Sequence, residues 1–203
     1  MSTVEQLPRG RHGLDPAEVR AAQRARIVAA MVGSIAERGY VQTTVADVIR
    51  GARVSRETFY EQFANKEEAF LAAFDVCAAE LASRLDSPGE AAEDPLERLE
   101  HALATYLETL RSEPALARTF LIDVYAAGPA AVERRTQVMS AFVDVVAGIL
   151  QPADAEGRFA CEAIVGAISS MVTMRVATGD YDDLPKLGPP LIALARRLLT
   201  EVG

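Results

Sequence analysis

The sequence has no tryptophan, and it has only two cysteines and two histidines. Cys77 and Cys161 cannot build a disulfide framework, and His12 and His101 lie too far from them in sequence to form a metal-ligand spacing. The opening MSTVEQLPRGRHG has no apolar core of the kind that starts a secretory signal, so a reducing cytoplasm is the expected setting. No apolar run reaches the roughly 18 residues of a membrane span, the nearest being 163–174, and no membrane partner is expected. No alternation of β-branched residues runs long enough to make a sheet. Also missing are a Ser/His/Asp set, a metal cluster and a phosphate-binding glycine loop. An enzyme is therefore not expected, nor is a cofactor.

Half of the 203 residues are hydrophobic, with Ala, Leu, Glu and Arg abundant, which is the composition of an all-α protein. The net charge of −8 is unevenly spread. Residues 1–66 carry ten Lys/Arg against seven Asp/Glu, and residues 67–203 carry eleven against twenty-two. A basic end on an acidic remainder fits nucleic-acid binding at that end alone.

The stretch TTVADVIRGARVSRETFYEQFANK, 43–66, organises the rest. Thr44 stands at an N-cap before Val45, Val48, Ile49 and Ala52, the i, i+3, i+4, i+7 stripe of a short amphipathic helix. Arg53-Val54 leaves room only for a sharp turn, and Ser55 caps a second helix with Phe59 and Phe63 on its inner side. Two helices so joined form a helix-turn-helix, whose second helix enters the DNA major groove. Arg56, Glu57, Thr58, Tyr60 and Gln62 then remain for the outer face, and Thr43, Thr44 and Ser55, at the helix starts, are also expected at DNA. Arg pairs with guanine, Gln with adenine, and Thr meets a thymine methyl. Tyr60 and Lys66 suit phosphates, Lys66 being close to the next helix's N-terminus.

The segment ERGYVQTTVADVIRGARVSRETFYEQFANKEEAF resembles the DNA-binding segment of the TetR family of bacterial transcriptional regulators. The matching pieces are Gly39-Tyr40, Thr43-Thr44-Val45, Val54-Ser55, Thr58-Phe59-Tyr60, Phe63 and Lys66-Glu67, and the resemblance covers about residues 20–75. It departs in the turn, where the family's usual Gly is Arg53; a left-handed backbone there would strain Arg53 by about 1 kcal/mol.

Taken in order, residues 1–14 read as a flexible basic arm and residues 15–65 as the helix-turn-helix domain. Asp15-Pro16 opens a first helix that runs to about Arg38 and ends at Gly39. Residues 66–203 follow as a ligand-binding and dimerisation domain. A helix from Lys66 to about Leu85 carries Phe70, Ala73, Phe74, Cys77 and Leu81 on one face. An acidic loop around 90–94 precedes helices at about 95–112, 114–127, 129–150 and 154–178, and a last one follows Pro189-Pro190. The count is about nine.

Large apolar side chains in this second part are candidates for lining a ligand cavity: Phe74, Tyr106, Leu110, Phe120 and Tyr125, then Met139, Phe142, Met171 and Met174. Arg175 follows a nearly uncharged run and is expected at the cavity or a dimer seam. The run 163–174 is apolar all round and must be covered on more than one side, by its own domain or by a second copy; with the striped last helix it suggests a dimer. The segment 180–183 resembles the aspartate-rich magnesium motif of helical prenyl-transferring enzymes, but it sits in a loop with no second acidic cluster.

The resemblance implies a homodimeric repressor on a palindromic operator in double-stranded DNA, released by a small, largely hydrophobic effector. An activator has the same sequence features. A ligand-independent architectural DNA-binding protein is the alternative, and a helical enzyme a remote one.

Overall fold

A computed structural model describes residues 15–85 and 94–202; the basic arm and most of the acidic loop lie outside them. Among the described residues there is no strand. Helix α1 (Pro16–Gln42) starts where the Asp15 carboxylate accepts the Ala17 N–H at 2.9 Å, with Pro16 in the first turn. Its inner face is Ile27, Val28, Met31 and Ile35. Gly39, at φ 76° and ψ 164°, breaks the helical path, and Tyr40–Gln42 continue at an angle.

Helix α2 (Val45–Ala52) has a capping box: the Thr44 hydroxyl accepts the Asp47 N–H, and the Asp47 carboxylate accepts the Thr44 N–H. The hydrogen bonds from Thr44 are the main reason Asp47 is held below the usual carboxylate range. Arg53 ends α2 in the left-handed region at φ 54° and ψ 48°. The Ser55 hydroxyl accepts the Thr58 N–H at 3.0 Å and starts α3 (Arg56–Gln62). Phe59 and Phe63 are buried against Ile27, Met31 and Val48 in one apolar cluster. Helix α4 (Lys66–Leu85) leaves this unit and carries the cluster onward through Phe70, Phe74 and Leu81.

The remaining helices are α5 (Pro95–Ser112), α6 (Pro114–Arg118), α7 (Val124–Ala126), α8 (Pro129–Leu150), α9 (Ala155–Thr178) and α10 (Gly188–Val202). Of these, α5 and α8 pack directly on α4. Residues Thr119–Asp123 form a π-helical turn that joins α6 to α7, so 114–126 is one rod with a wide turn inside it. Counted that way, the described residues make nine rods. Residues 189 and 190 lie within the first turn of α10 rather than before it, because proline is tolerated there. Helix α1 packs on α4, on α6 and on the π turn; α8 and α9 pack together, and α10 lies on α9 and α5.

By length and composition α9 is long and apolar enough to cross a membrane, with an 18-residue window of mean hydropathy 1.4. Only 33% of that window is buried, and Phe159 and Met174 on it are exposed, as is Leu194 on α10. Between α9 and α10 the four residues 180–183 hold no open cluster of carboxylates. Thr178 donates to Asp180 at 2.6 Å, Lys186 bonds Asp183 at 2.6 Å, and Arg111 lies 3.8 Å from Asp182.

The turn after α2 gives a stability prediction. A left-handed backbone costs an L-residue roughly 1–2 kcal/mol and glycine almost nothing, although glycine returns part of this as unfolded-chain entropy. Arg53→Gly should raise stability by about 1 kcal/mol, a melting temperature higher by roughly 2–4 °C. Thermal unfolding followed by circular dichroism checks this; an unchanged or lower midpoint would mean that Arg53 is not strained.

Candidate nucleic-acid interface and ligand cavity

Helix α3 is pinned at both ends. Ser55 holds its start, and at its other end Arg24 of α1 donates to the Gln62 carbonyl at 3.2 Å while lying over the Phe63 ring at 4.3 Å. This fixed helix turns Arg56, Glu57 and Tyr60 to solvent, with Thr58 and Gln62 half-buried. The Arg56 guanidinium lies 5.4 Å from the Tyr60 ring centroid, so one supports the other at the surface. The Thr58 hydroxyl is shared with Ser55 at 2.9 Å, and the Thr44 hydroxyl with Asp47 at 2.6 Å.

Two of the residues expected at DNA have different surroundings. Thr43 is buried, and its hydroxyl donates to the Gly39 carbonyl at 2.9 Å, closing the end of α1; it is structural rather than exposed. Lys66 donates to the carbonyls of Tyr40 and Thr43, both at 3.0 Å, and sits 4.0 Å from the Tyr40 ring centroid. Partial burial lowers its pKa. Its ammonium therefore ties α4 to the α1–α2 corner and has one of its three N–H groups left over. Arg24, whose role is to hold α3 in place, was not legible as such in sequence.

The same corner meets the second half of the protein at one carboxylate. Asp123, on the π turn and buried, accepts the Tyr40 N–H at 2.8 Å through Oδ1. Its Oδ2 has no hydrogen-bond partner and faces Arg118 Nε at 3.9 Å. Gly39 is needed here for its backbone and for its size: a Cβ would lie 3.3 Å from Asp123 Oδ1. A buried amide that loses its acceptor is destabilised by about 1–3 kcal/mol, so this bond firmly joins the α1–α3 unit to the helices behind it.

Behind the π turn, helices α4, α5, α8 and α9 enclose a cavity of about 90 Å³. Its wall is apolar, from Leu85, Leu99, Leu103, Met139, Phe142, Val146, Val165 and Ile168, and its polar side chains are Tyr106 and Ser169. Burial pushes the Tyr106 hydroxyl well above its ordinary pKa. A wall of this sort, apolar with a few polar groups, suits an apolar ligand. Three of the residues expected at a cavity, Tyr106, Met139 and Phe142, line this one.

The others do not line it. Phe74 and Phe120 are fully buried and stacked on each other with centroids 5.3 Å apart, and Leu110 is solid core. Met171 packs on the core further along α9, and Met174 is exposed. Arg175 lies near Asp183, whose carboxyl is held low chiefly by the Lys186 hydrogen bond and to a smaller degree by Arg175. Tyr125 is exposed at the edge of a groove between α8 and α9, which also contains Arg135, Arg158 and Glu162. Arg135 is the basic residue beside the cavity, and periodicity alone did not distinguish it from Arg134.

The rings that connect these parts form an unbroken series. Tyr106 meets Phe142 at 6.3 Å between centroids, Phe142 meets Phe120 at 6.2 Å, and Phe120 stacks on Phe74. Phe74 then meets Phe70 at 6.4 Å, and Phe70 meets Tyr40 at 5.0 Å. The cavity wall and the corner before α2 thus share one packed core.

Residues 27–73 match the sequence profile of bacterial regulatory proteins of the tetR family. The fatty acid metabolism regulator protein of Bacillus subtilis is 23% identical over 177 residues, covering 83% of this chain and 91% of that protein. The structure of the fatty acid degradation regulator FadR from Bacillus halodurans superposes with a TM-score of 0.73 at 23% identity, covering 90% of this chain and 96% of that one. FadR from Bacillus subtilis, solved in complex with stearoyl-CoA, superposes with a TM-score of 0.69 at 21% identity over 84% of this chain and 96% of that one. Over residues 27–73, then, this chain carries the segment that marks bacterial regulatory proteins of the tetR family, and over most of its length it shares their fold.

Proposed function

We propose that the protein is a homodimeric repressor that binds a palindromic operator through α3 and leaves it when a small, largely apolar effector occupies the cavity. The observation that carries this reading is the continuity of the core: the cavity wall and the corner that holds α2 and α3 are packed through one series of rings. Arg56 and Gln62 are assigned to base edges and Tyr60 to phosphate. Thr44, Ser55, Glu57 and Thr58 border the groove, and Lys66 offers its remaining N–H to a phosphate. Residues 15–65 act as the reading unit, and residues from 66 onward as the sensing and dimerising one.

The effector acts only through its different affinity for two arrangements of the molecule. The arrangement it favours spaces the two α3 helices of a dimer so that they no longer fit successive major grooves. The stearoyl-CoA bound by the Bacillus subtilis relative supports an effector with an acyl or alkyl chain. The apolar wall of the cavity suits the chain part of such a molecule. The cavity also supports this reading over a ligand-independent architectural role. Phe159, Met174 and Leu194, exposed on α9 and α10, are the apolar surface that a second copy would cover.

Three variants test the DNA reading once the purified protein has selected its operator from random duplexes. Arg56→Ala should relax preference at one base pair of each half-site, costing about 1–3 kcal/mol. Tyr60→Phe should instead weaken all sequences alike, by roughly 1 kcal/mol. Lys66→Met should lower thermal stability as well as affinity, because it leaves the Tyr40 and Thr43 carbonyls unpaired. An unchanged site preference in Arg56→Ala would remove that residue from base readout. For assembly, light scattering at micromolar concentration should show a dimer, and Leu194→Glu with Leu198→Glu should give monomers or insoluble protein. A well-folded wild-type monomer would contradict the half-site geometry.

A further inference from the structure

Both polar side chains in the cavity wall are connected to Arg135. Its Nη2 donates to Ser169 Oγ at 2.8 Å, and its charge partly offsets the effect of burial on the Tyr106 hydroxyl. The Tyr125 ring lies 5.1 Å from the guanidinium carbon and braces it from the other side. Its Nε is buried with no hydrogen-bond partner. No described carboxylate forms an ion pair with Arg135, although its neighbours are paired, Arg134 with Asp75 at 3.1 Å and Arg158 with Asp144 at 2.6 Å. A guanidinium N–H withdrawn from water without an acceptor is unfavourable until something supplies one.

We propose that Arg135, with Ser169, anchors the anionic head of an effector whose apolar tail fills the cavity. This rests on the cavity reading above and assigns the effector's charge. Arg135 lines the groove beside the cavity, and Met139, Val165 and Ser169 line both spaces. A tail between Tyr106, Phe142 and Ile168 therefore places its head at the guanidinium, where two oxygens take the free Nε–H and an Nη–H side by side. The shared ligand chemistry is an anionic oxygen on an alkyl or acyl chain, either as a free carboxylate or as a phosphate-bearing thioester.

The test is calorimetric titration of the full chain at neutral pH with hexanoate, hexan-1-ol, hexylamine and hexanoyl-CoA. Wild type should bind hexanoate roughly tenfold or more tightly than hexan-1-ol, with hexylamine weakest. Arg135→Gln should bring hexanoate down to the level of the alcohol and leave the alcohol unchanged, which also shows that the variant is folded. Arg135→Lys should recover part of the difference, since it restores charge without the two-point geometry. Hexanoyl-CoA binding more tightly than hexanoate, with the same loss in Arg135→Gln, would assign the head to a phosphate; the reverse order would assign it to a free carboxylate. Equal wild-type affinities for acid and alcohol, or an undiminished acid affinity in Arg135→Gln, would overturn the anchor alone. Failure of acid and alcohol alike to bind would overturn the anchor and the cavity reading together.

Discussion

The arrangement depends on one hydrogen bond, from the Tyr40 N–H to the buried carboxylate of Asp123. Gly39 breaks α1 just before it, leaving the Tyr40 amide outside the regular helical path. Asp123 takes that amide from a turn packed on α1, 83 residues away in sequence. Around the same point Lys66 joins the Tyr40 and Thr43 carbonyls, and Thr44 begins α2. The orientation of the reading helix is therefore set where a π turn from the second half touches the first.

That turn has a second consequence. Phe120 and Asp123 lie on one π-helical turn, Phe120 packed on Phe142 of the cavity wall and Asp123 bonded to Tyr40. A π turn holds one residue more than a regular turn and is a common feature of functional sites. Close-packed interiors shift between discrete arrangements rather than deforming smoothly. In the proposed mechanism a ligand that displaces Phe142 changes the position of Phe120, and the same turn carries Asp123 with it.

Much of this was legible in sequence because each helix start bears a local mark. Asp15-Pro16, Thr44, Ser55, Pro95, Pro114 and Pro129 all stand at or next to observed starts, and Arg53 adopts the left-handed backbone that the family resemblance, with its usual Gly there, had raised as one of two readings of the turn. What stayed hidden depends on distant contacts. Residues 119–123, TFLID, have the composition of an ordinary helix, and nothing local marks the wide turn. Asp123 reads as one acidic residue among many until α1 is packed against it. Lys66 looked free because its carbonyl partners come from the end of another helix. The choice between Arg135 and Arg175 turned on which face of each helix meets the cavity. Periodicity places a face toward the core but does not say which part of the core is hollow.

The most direct measurement of the central claim is how far a cavity ligand changes operator affinity when the joint is broken. Operator dissociation constants would be determined with and without saturating hexan-1-ol for wild type, Asp123→Asn and Asp123→Ala, with alcohol affinity measured separately. The account predicts that all three bind the alcohol alike. In wild type and Asp123→Asn, where an oxygen still accepts the Tyr40 N–H, the alcohol should weaken operator binding. In Asp123→Ala the ratio of the two operator constants should fall close to one. A folded Asp123→Ala protein that keeps the wild-type ratio would show that the cavity reaches α3 by some route other than this hydrogen bond.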